Sequence, residues 1–341
     1  MIVAGGGMAG LVAAARAREL GVPAVVYEKG SRTGGSMLLS SGVVWRHRGW
    51  HDFRRECPGG DERLQRLVWE RLDDALAWLV ALGAPVLWEE TENPRTTGKR
   101  FDTRGLTRVL TRACERVELG RSAPLGTGEP MVLATGGFGG SPSLVARYVS
   151  PEAPLRVRAN PWSTGDGLAH ALEAGASLTP GMDEFYGRNM PDTAWDEDDF
   201  VSASQLYASH ARIFDENGVE FFDARDVSWS ETNVVQATAH RPGALAYYLL
   251  REEDIHRATA PLLAPDELPF DAPPGTTAGV RVVASITHTI GGIRVDENAC
   301  VVGVEGLWAA GVDAGGVATG GYASGLAQAL VLGLAAAESQ S

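Results

Sequence analysis

The sequence contains few of the residues that mark a disulfide framework, a nucleic-acid surface or a membrane span. Its three cysteines, Cys57, Cys114 and Cys300, form no CxxC pair, so neither disulfides nor an iron–sulfur site is indicated. Basic residues number 30 against 43 acidic ones, and the net charge of −13 argues against nucleic acid and anionic membranes as partners. The apolar stretch from Leu326 to Ala337, about 12 residues, is too short to cross a bilayer and predicts a buried helix.

The chain also lacks a convincing metal-ligand cluster. His47, His51 and Cys57 have a loosely ligand-like spacing, but the residues between them are basic and no fourth ligand is evident. We therefore expect a solvated basic face there and no metal site. The scattered cysteines make a reduced, cytoplasmic compartment the default expectation.

Glycine, in contrast, is plentiful, with 42 residues in 341, and three glycines in the first ten residues form a nucleotide-binding fingerprint. An apolar strand runs straight into Gly5-x-Gly7-x-x-Gly10, and a helix is predicted to follow at once. Gly5 permits the tight turn, Gly7 the close approach of a pyrophosphate, and Gly10 the packing of the helix on the strand. A second strand ends at Glu28, about 20 residues after the glycines, where an acid grips a ribose hydroxyl. These features predict a dinucleotide site at the N-terminus of the first helix.

Further glycine-rich segments decide between NAD and FAD. The residues after Glu28 read KGSRTGGS, and Ser40-Ser41-Gly42 follows, a second glycine–serine loop that a simple NAD domain does not need. A flavin nucleotide is longer and needs more backbone donors along its phosphates and ribityl chain. Two more apolar strands end in comparable turns, one at Thr135-Gly136-Gly137 and one at Gly311, followed by an acid at Asp313. FAD is therefore the predicted cofactor.

The order of these motifs resembles the fumarate reductase/succinate dehydrogenase flavoprotein family, whose superfamily also includes 3-ketosteroid dehydrogenases and tricarballylate dehydrogenase. The fingerprint, EKGSRTGGS, ATGGF, STGDG at 163–167 and GLWAAG at 306–311 follow that family's order. The resemblance implies an α/β fold, with a Rossmann-like FAD-binding domain and an inserted α+β cap (substrate) domain. Composition shifts towards acidic runs, aromatics and prolines between about 182 and 285. We expect the cap domain at 182–285 and the FAD-binding domain at 1–181 and 286–341.

The motifs together give a set of candidate cofactor-binding residues. Relatives with covalent FAD use a histidine in the loop after the second strand; the corresponding residues 34–37 contain none, so FAD is expected to bind noncovalently. In the family, the acid near the ribityl chain stands one position before Asp313, where this chain has Val312. The candidates are Gly5, Gly7, Met8, Ala9, Gly10, Glu28, Lys29, Gly34, Gly35, Ser36, Ser41, Gly42, Thr135, Gly136, Gly137, Asp166, Gly311, Asp313, Gly325 and Leu326.

The segment GGVATGGYASG at 315–325 bears most directly on the substrate. Fumarate reductases have in this segment an arginine that grips a carboxylate, and its position falls at Tyr322. Arginine forms a bidentate fork with a carboxylate, whereas tyrosine cannot. The pattern Gly-Tyr-x-Ser-Gly instead resembles Δ4-type 3-ketosteroid dehydrogenases, whose tyrosine and serine serve the proton side of the reaction. Tyr322 bonded to Ser324 at the head of a helix is a reasonable weak base, and the alternative is a tyrosine that packs against the flavin ring.

Three further residues are candidate catalytic groups. His288 lies in a segment that resembles the HT-GG segment of fumarate reductases, whose histidine binds the substrate carboxylate; the alternative is a histidine bonded to nearby backbone. Arg225 lies in a segment that resembles the cap segment with that family's arginine proton donor, although Asp226 beside it could make an ordinary surface pair. Tyr186 follows the Gly-Asp-Gly helix near the expected cap hinge, as a second candidate hydroxyl or as a core residue.

The sequence therefore predicts an FAD-dependent oxidoreductase that acts on a CH–CH or C=C bond next to a carbonyl, as a ketone dehydrogenase or ene-reductase. In the oxidative direction Tyr322 removes the proton α to the carbonyl and the β hydride passes to flavin N5. His288, or a backbone N–H at Gly320 or Gly321, polarises the carbonyl of a small-molecule substrate. A single GxGxxG implies an external electron acceptor or donor. The alternatives are a fumarate-reductase-like reductase of an unsaturated carboxylic acid, with Arg225 and His288 as ligands, and a non-catalytic flavin-binding subunit.

Overall fold

The computed structural model describes residues 1–340. The strands are β1 (Ile2–Ala4), β2 (Val25–Glu28), β3 (Val43–His47), β4 (Val86–Trp88), β5 (Thr96–Phe101), β6 (Arg116–Leu119), β7 (Met131–Leu133), β8 (Arg156–Val157), β9 (Phe185–Pro191), β10 (Arg212–Phe214), β11 (Glu220–Phe222), β12 (Leu245–Leu250), β13 (Ala278–Thr289) and β14 (Leu307–Ala309). The helices are α1 (Met8–Glu19), α2 (Gly35–Leu38), α3 (Trp50–Glu56), α4 (Glu62–Ala81), α5 (Thr103–Ala113), α6 (Pro142–Tyr148), α7 (Asp166–Glu173), α8 (Thr232–Ala239) and α9 (Gly325–Glu338). None of the helices within residues 1–340 is both long and apolar enough to cross a membrane.

The chain divides into two compact units. The first contains Met1–Ser141, Asn160–Glu184 and the residues from His288 onward; the second contains Pro142–Ala159 and Phe185–Thr287. The sequence-based cap limits of 182–285 stay a prediction. The second unit also includes a separate segment, 142–159, for which the sequence offered no signal.

A five-stranded parallel sheet forms the centre of the first unit, in the order β14-β7-β1-β2-β6. Its middle strand β1 is fully buried, and Ile2 pairs with Val25 on one side and with Met131 on the other. Parallel strands bring their carboxyl ends to one edge of a sheet, so the turns after β1, β2 and β7 meet there. Helix α9 packs on α1, and its residues 327–337 are buried, which agrees with the buried helix predicted for this stretch.

Helix boundaries follow local capping residues. Apolar residues at helical spacing predict a helix over 62–82, and the structure has α4 there, which Asp61 caps by accepting hydrogen bonds from the Arg63 and Leu64 amides. The sequence also predicts a helix from Phe101 to Val117, but the observed helix is shorter, since α5 covers only Thr103–Ala113. Asp102 caps α5 through the Arg104 and Gly105 amides, so the residues before it remain in β5. At the other end the backbone of Cys114 is extended, and Arg116–Leu119 form the edge strand β6.

The other two sheets are smaller or mixed. In the first unit β3, β5 and β4 form an antiparallel sheet in the order β3-β5-β4. In the second unit the order is β11-β10-β12-β13-β8, with β9 also paired to β13. Its core lies between this sheet and α8, where Tyr248, Ile213, Val234 and Val280 are buried together. The second unit is thus an α+β domain inserted into the α/β unit.

Candidate functional site

The three fingerprint glycines are needed for different reasons. Gly5 has φ +111°, and a Cβ atom there would overlap the Ala134 carbonyl; a Cβ at Gly10 would overlap the Gly5 carbonyl. A Cβ at Gly7, however, would have only the Gly35 Cα as a neighbour, at 4.0 Å. The chain itself therefore requires glycine at 5 and 10 and leaves open space at 7. That space fits the predicted approach of a pyrophosphate.

The N-terminus of α1 beside Gly7 is suited to an anion. No side chain caps it, and its first turn, which contains Met8 and Ala9, has no acidic residue. Its first amides lack partners within the helix and point outward with the positive end of the helix dipole. The local arrangement therefore fits the phosphates of a dinucleotide.

Glu28 holds two loops together and keeps capacity for a ligand. Its Oε2 accepts a hydrogen bond from the Gly6 amide at 2.8 Å, and its Oε1 accepts one from the Gly30 amide at 2.7 Å. The side chain is buried, with 7% of its surface exposed. A carboxylate offers about four lone-pair sites, so the two bonds leave acceptor capacity for a ribose hydroxyl.

An open cleft lies against Glu28 in the first unit. Five predicted cofactor-binding residues line it: Gly5, Glu28, Lys29, Thr135 and Asp166. Seven other lining residues were not among the candidates: Ala4 on β1, Tyr27 on β2, and Ser122, Ala123, Leu125, Asn160 and Trp162. The last five lie in loops without periodicity. The structure shows why Gly30 is a glycine, since a Cβ there would overlap the Trp162 ring. The sequence alone does not reveal this contact.

Lys29 and Asp166 form an ion pair at this cleft. Lys29 Nζ lies 2.7 Å from Asp166 Oδ2 and 2.5 Å from the Thr164 hydroxyl. The Thr164 hydroxyl in turn donates to Asp166 Oδ1 at 2.8 Å. This network joins the end of β2 to the start of α7. The side chains of Lys29 and Asp166, both predicted cofactor-binding residues, are therefore held together at the cleft.

The Asp313 carboxylate is occupied by hydrogen bonds within the protein. Its carboxylate accepts hydrogen bonds from the Thr135 amide, from the Thr135 hydroxyl at 3.0 Å and from the Gly137 amide at 2.9 Å. Only 2% of its surface is exposed, and burial raises its pKa. The geometry therefore supports a role in fixing the Thr135–Gly137 turn. A direct ribityl contact for this side chain has no support in these bonds.

The second glycine–serine loop splits into two parts. The Gly34 amide donates to the Gly6 carbonyl at 2.8 Å, and the Ser36 hydroxyl accepts from the Asn160 amide at 3.3 Å, so this part adjoins the fingerprint turn and the cleft. Ser41 and Gly42 instead meet β5. The Ser41 carbonyl accepts from Arg100 Nε at 2.9 Å, and the Gly42 carbonyl accepts from the Phe101 amide at 3.0 Å.

Residues 316–324, called the Tyr322 loop below, carry the predicted proton-transfer residues. The half-buried Tyr322 ring lies 5.2 Å from the Trp45 ring at 52°. The Gly320 amide donates to Glu184 Oε2 at 2.7 Å, and the Gly321 amide donates to the Ala318 carbonyl at 3.0 Å. Both amides are thus engaged within the chain, so the prediction that one of them polarises a substrate carbonyl is wrong.

Ser324 ends the Tyr322 loop and caps α9. Its hydroxyl oxygen accepts from the Ala327 amide at 3.2 Å and from the Trp45 amide at 3.5 Å, which leaves its proton available for donation. The next residues, Gly325 and Leu326, begin α9. A Cβ at Gly325 would lie 3.1 Å from His288 Nε2, so the His288 ring and the head of α9 are adjacent. Burial lowers the pKa of His288 to about 4, and the imidazole is therefore neutral at pH 7.

The other two predicted catalytic residues belong to the second unit. Tyr186 is half-buried on β9, and the Arg188 guanidinium lies 4.7 Å from its ring centre. The Arg225 side chain is 88% exposed, and its Nε donates to both Asp223 oxygens at 3.0 Å. Its partner is thus Asp223, not Asp226. This is the geometry of an exposed surface pair, so Arg225 leaves the candidate set.

The solvated face predicted for His47, His51 and Cys57 differs from the structure. His51 is exposed, but His47 and Cys57 are buried, so the expected solvated basic face is wrong for both. Burial lowers the pKa of His47 and raises that of Cys57. His47 Nε2 lies 3.2 Å from the Tyr322 carbonyl oxygen. Within residues 1–340 no group of three or more His, Cys, Asp or Glu side chains could hold a metal ion.

The parallel sheet, the glycine turn, the acid on β2 and the polar cleft define a dinucleotide-binding flavoprotein. A family model described as "FAD binding domain" matches residues 1–132 and 120–326. The chain belongs to this FAD-binding family, and it is an FAD-dependent oxidoreductase. No curated protein matches the chain.

Solved structures share this fold over nearly the whole chain. The open conformation of a flavocytochrome c3 fumarate reductase has a TM-score of 0.74 and 19% identity, covering 99% of this chain and 77% of that one. The 3-ketosteroid Δ1-dehydrogenase from Sterolibacterium denitrificans in complex with 1,4-androstadiene-3,17-dione has a TM-score of 0.77 and 15% identity, with coverages of 99% and 98%. The 3-ketosteroid-Δ4-(5α)-dehydrogenase from Rhodococcus jostii RHA1 in complex with 4-androstene-3,17-dione has a TM-score of 0.66 and 18% identity, with coverages of 98% and 95%.

Proposed function

We propose that this oxidoreductase acts on a CH–CH or C=C bond next to the carbonyl of a neutral small molecule, as a ketone dehydrogenase or ene-reductase. The observation that carries the proposal is the neutral His288 ring packed beside the head of α9, next to the loop that bears Tyr322. A carboxylate substrate needs a fixed cation with matching donors. Neither Tyr322 nor His288 supplies one at pH 7, and Arg225 is paired at the surface.

The residues divide into cofactor-binding and proton-handling groups. The first amides of α1 and the acceptor capacity of Glu28 would hold the pyrophosphate and a ribose. Bound FAD supplies two-electron chemistry, by taking or giving a hydride at its isoalloxazine ring. The deprotonated Tyr322 oxygen accepts the α proton in the dehydrogenase direction, and the neutral hydroxyl formed in this way donates the proton in the reverse direction. Neutral His288 has one N–H to polarise the carbonyl oxygen, and the Ser324 proton supports Tyr322.

Several properties of the holoprotein are part of the same proposal. FAD binds noncovalently, because residues 34–37 contain no histidine. The free state of Cys57, Cys114 and Cys300 supports a cytoplasmic location. An external carrier or oxygen exchanges electrons with the flavin, because the sequence has a single GxGxxG fingerprint.

The test is anaerobic flavin reduction by the wild type and by Tyr322→Phe. The variant loses one hydroxyl and keeps its ring against Trp45, so FAD content and the absorbance spectrum should not change. Flavin reduction by a cyclic ketone should fall about 10²–10⁴-fold, the usual contribution of a positioned acid or base. In the wild type the rate should rise with pH, since deprotonation makes the base competent. Tyr148→Phe, which changes a half-buried tyrosine on α6, is the matched control.

The substrate panel separates the alternatives. Neutral cyclic ketones should reduce the flavin faster than succinate, and their unsaturated products should reoxidise it faster than fumarate. A dicarboxylate that reacts equally fast would make a reductase of unsaturated acids the better assignment. Stoichiometric FAD that no substrate reduces would indicate a non-catalytic flavin-binding subunit. A parental rate in Tyr322→Phe would show that this tyrosine is a packing residue.

A further inference from the structure

We propose that Glu184 is a positioning residue, whose carboxylate fixes the Tyr322 loop by holding the Gly320 amide. The proposal rests on the function proposed for Tyr322. Glu184 Oε2 accepts the Gly320 amide hydrogen at 2.7 Å, two residues before Tyr322 in the chain. Gly320 has φ +89°, so the chain turns there. The bond from its amide to the carboxylate fixes the orientation of this turn, which leads into Tyr322.

Glu184 is itself anchored on both sides of its peptide. Its amide donates to the Gly181 carbonyl at 3.0 Å, and its carbonyl accepts from the Ile290 amide at 3.0 Å. A Cβ at Gly181 would lie 3.3 Å from Glu184 Oε1, so the side chain also packs closely against this turn. The carboxylate therefore reaches Gly320 from a fixed backbone, as a positioning group must.

Three other contacts to the Tyr322 loop hold its carbonyl groups. The Asp61 amide donates to the Gly316 carbonyl at 2.7 Å, and the Gly59 amide donates to the Thr319 carbonyl at 3.1 Å. Gln65 Nε2 donates to the Val317 carbonyl at 2.9 Å. Glu184 differs because its carboxylate accepts a hydrogen bond from a backbone amide of the loop. A hydrogen bond to a charged acceptor is about twice as strong as one to a neutral acceptor.

A carboxylate is an unfavourable choice for a purely structural contact. Burial raises the pKa of Glu184, which means that the surroundings oppose its charge. Exposed Asp183, its chain neighbour, raises that pKa further. A carboxylate kept at such a position, bonded to the chain two residues before the predicted proton-transfer residue, fits control of the Tyr322 hydroxyl. Misplacement of a reacting group by about 1 Å can reduce a rate by about 10²-fold.

The first experiment measures the contact directly in the FAD-loaded protein. Hydrogen–deuterium exchange of the peptide that contains Gly320 is compared for the wild type, Glu184→Ala, Glu184→Gln and Asp183→Ala. Exchange at the Gly320 amide should be about tenfold faster in Glu184→Ala, because loss of a charge-assisted bond of this kind corresponds to that factor. Glu184→Gln keeps an acceptor oxygen and should restore most of the protection. The control Asp183→Ala removes the exposed charge that raises the pKa of Glu184, so the Glu184 carboxylate stays charged and exchange should match the wild type.

The second experiment links the contact to Tyr322. In the wild-type background Glu184→Ala should lower kcat for flavin reduction about tenfold, with KM changed less than twofold, and Glu184→Gln should recover most of kcat. In the Tyr322→Phe background Glu184→Ala should have little further effect, because the two residues then act through one group. An equal tenfold loss in both backgrounds would overturn the proposal.

The remaining outcomes separate this inference from the proposed function. Unchanged exchange at Gly320 in Glu184→Ala would overturn the positioning contact and leave the role of Tyr322 standing. A parental rate in Tyr322→Phe would overturn the proposed function, and with it the catalytic meaning of the contact, even if exchange at Gly320 were accelerated.

Discussion

The replacement of Glu28 by alanine tests whether one carboxylate serves both the fold and the cofactor. In the structure this side chain accepts the Gly6 amide at 2.8 Å and the Gly30 amide at 2.7 Å in a buried environment. Alanine leaves both amides without this acceptor. Each orphaned buried donor costs about 1–3 kcal/mol, so the apoprotein should lose about 2–6 kcal/mol of unfolding free energy.

The cofactor effect is a separate quantity. If Glu28 also accepts a ribose hydroxyl, its loss should weaken FAD binding by about 1–3 kcal/mol, which is roughly a 5- to 150-fold higher Kd. Acid should release FAD from the yellow wild-type protein without flavin left on the chain. The apoprotein can then be titrated with FAD while flavin fluorescence is followed, and urea unfolding gives its stability.

Two matched variants make the result specific. Glu28→Gln keeps one acceptor oxygen but places an amide N–H₂ against the second backbone donor, so it should fall between the wild type and alanine. Glu129→Ala removes an exposed carboxylate, changes the net charge by the same amount as Glu28→Ala, and should change neither quantity. If Glu28→Ala unfolds at the wild-type urea concentration, the two hydrogen bonds do not stabilise the fold. If its Kd for FAD equals the wild-type value, the ribose contact is absent.

Three further results are expected. Gly7→Ala should leave apoprotein stability unchanged and weaken FAD binding, because its Cβ meets only the Gly35 Cα at 4.0 Å, whereas Gly5→Ala should destabilise the apoprotein itself; equal unfolding curves for both would contradict this. Burial raises the pKa of Glu231 to about 7, so the contribution of this group to the free energy of unfolding should fall as pH rises from 4.5 to 7. Relative to the wild type, Glu231→Gln should therefore be more stable at pH 8 than at pH 5 by about 3 kcal/mol at most, and a pH-independent difference in urea unfolding would refute this. The pKa of His288 is lowered from 6.5 to about 4, so this group should reduce the free energy of unfolding as pH falls through that range. His288→Asn should make the free energy of unfolding less dependent on pH between 6.5 and 4, and an unchanged dependence would contradict this.

The parts of the fold that the sequence could predict are those set by local chemistry. The turn at Gly5 and Gly10 is imposed by carbonyl groups that exclude a Cβ, and Glu28 ends a strand that must pair beside β1. The long apolar run at the C-terminus predicted the buried helix α9 because a solvated face was lacking. Such features depend on neighbours in the chain or on a simple period.

The errors arise where long-range packing decides. Arg225 lies in a family-like segment, yet its exposure depends on how the 3₁₀ turn at 224–226 sits, which spacing does not reveal. His47 lies on a strand between basic residues, and only the packing of the elements around β3 buries it. Asn160 and Trp162 reach the cleft from a loop without periodicity. Their roles follow from tertiary contacts that no local pattern encodes.

The bonds of Asp313 to the Thr135–Gly137 turn have a consequence for biosynthesis. The acceptor lies 178 residues after the donor at Thr135, and β14 and α9, which complete the sheet and cover α1, come later than almost all other elements. A ribosome therefore exposes the nucleotide fingerprint and the Thr135–Gly137 turn before the residues that brace them. The Thr135–Gly137 turn cannot be held by Asp313, and α1 cannot be covered by α9, until residues 307–338 leave the exit tunnel. Nascent chains stalled before this point should be unable to retain FAD, whereas the 185–287 segment is already complete and free to fold.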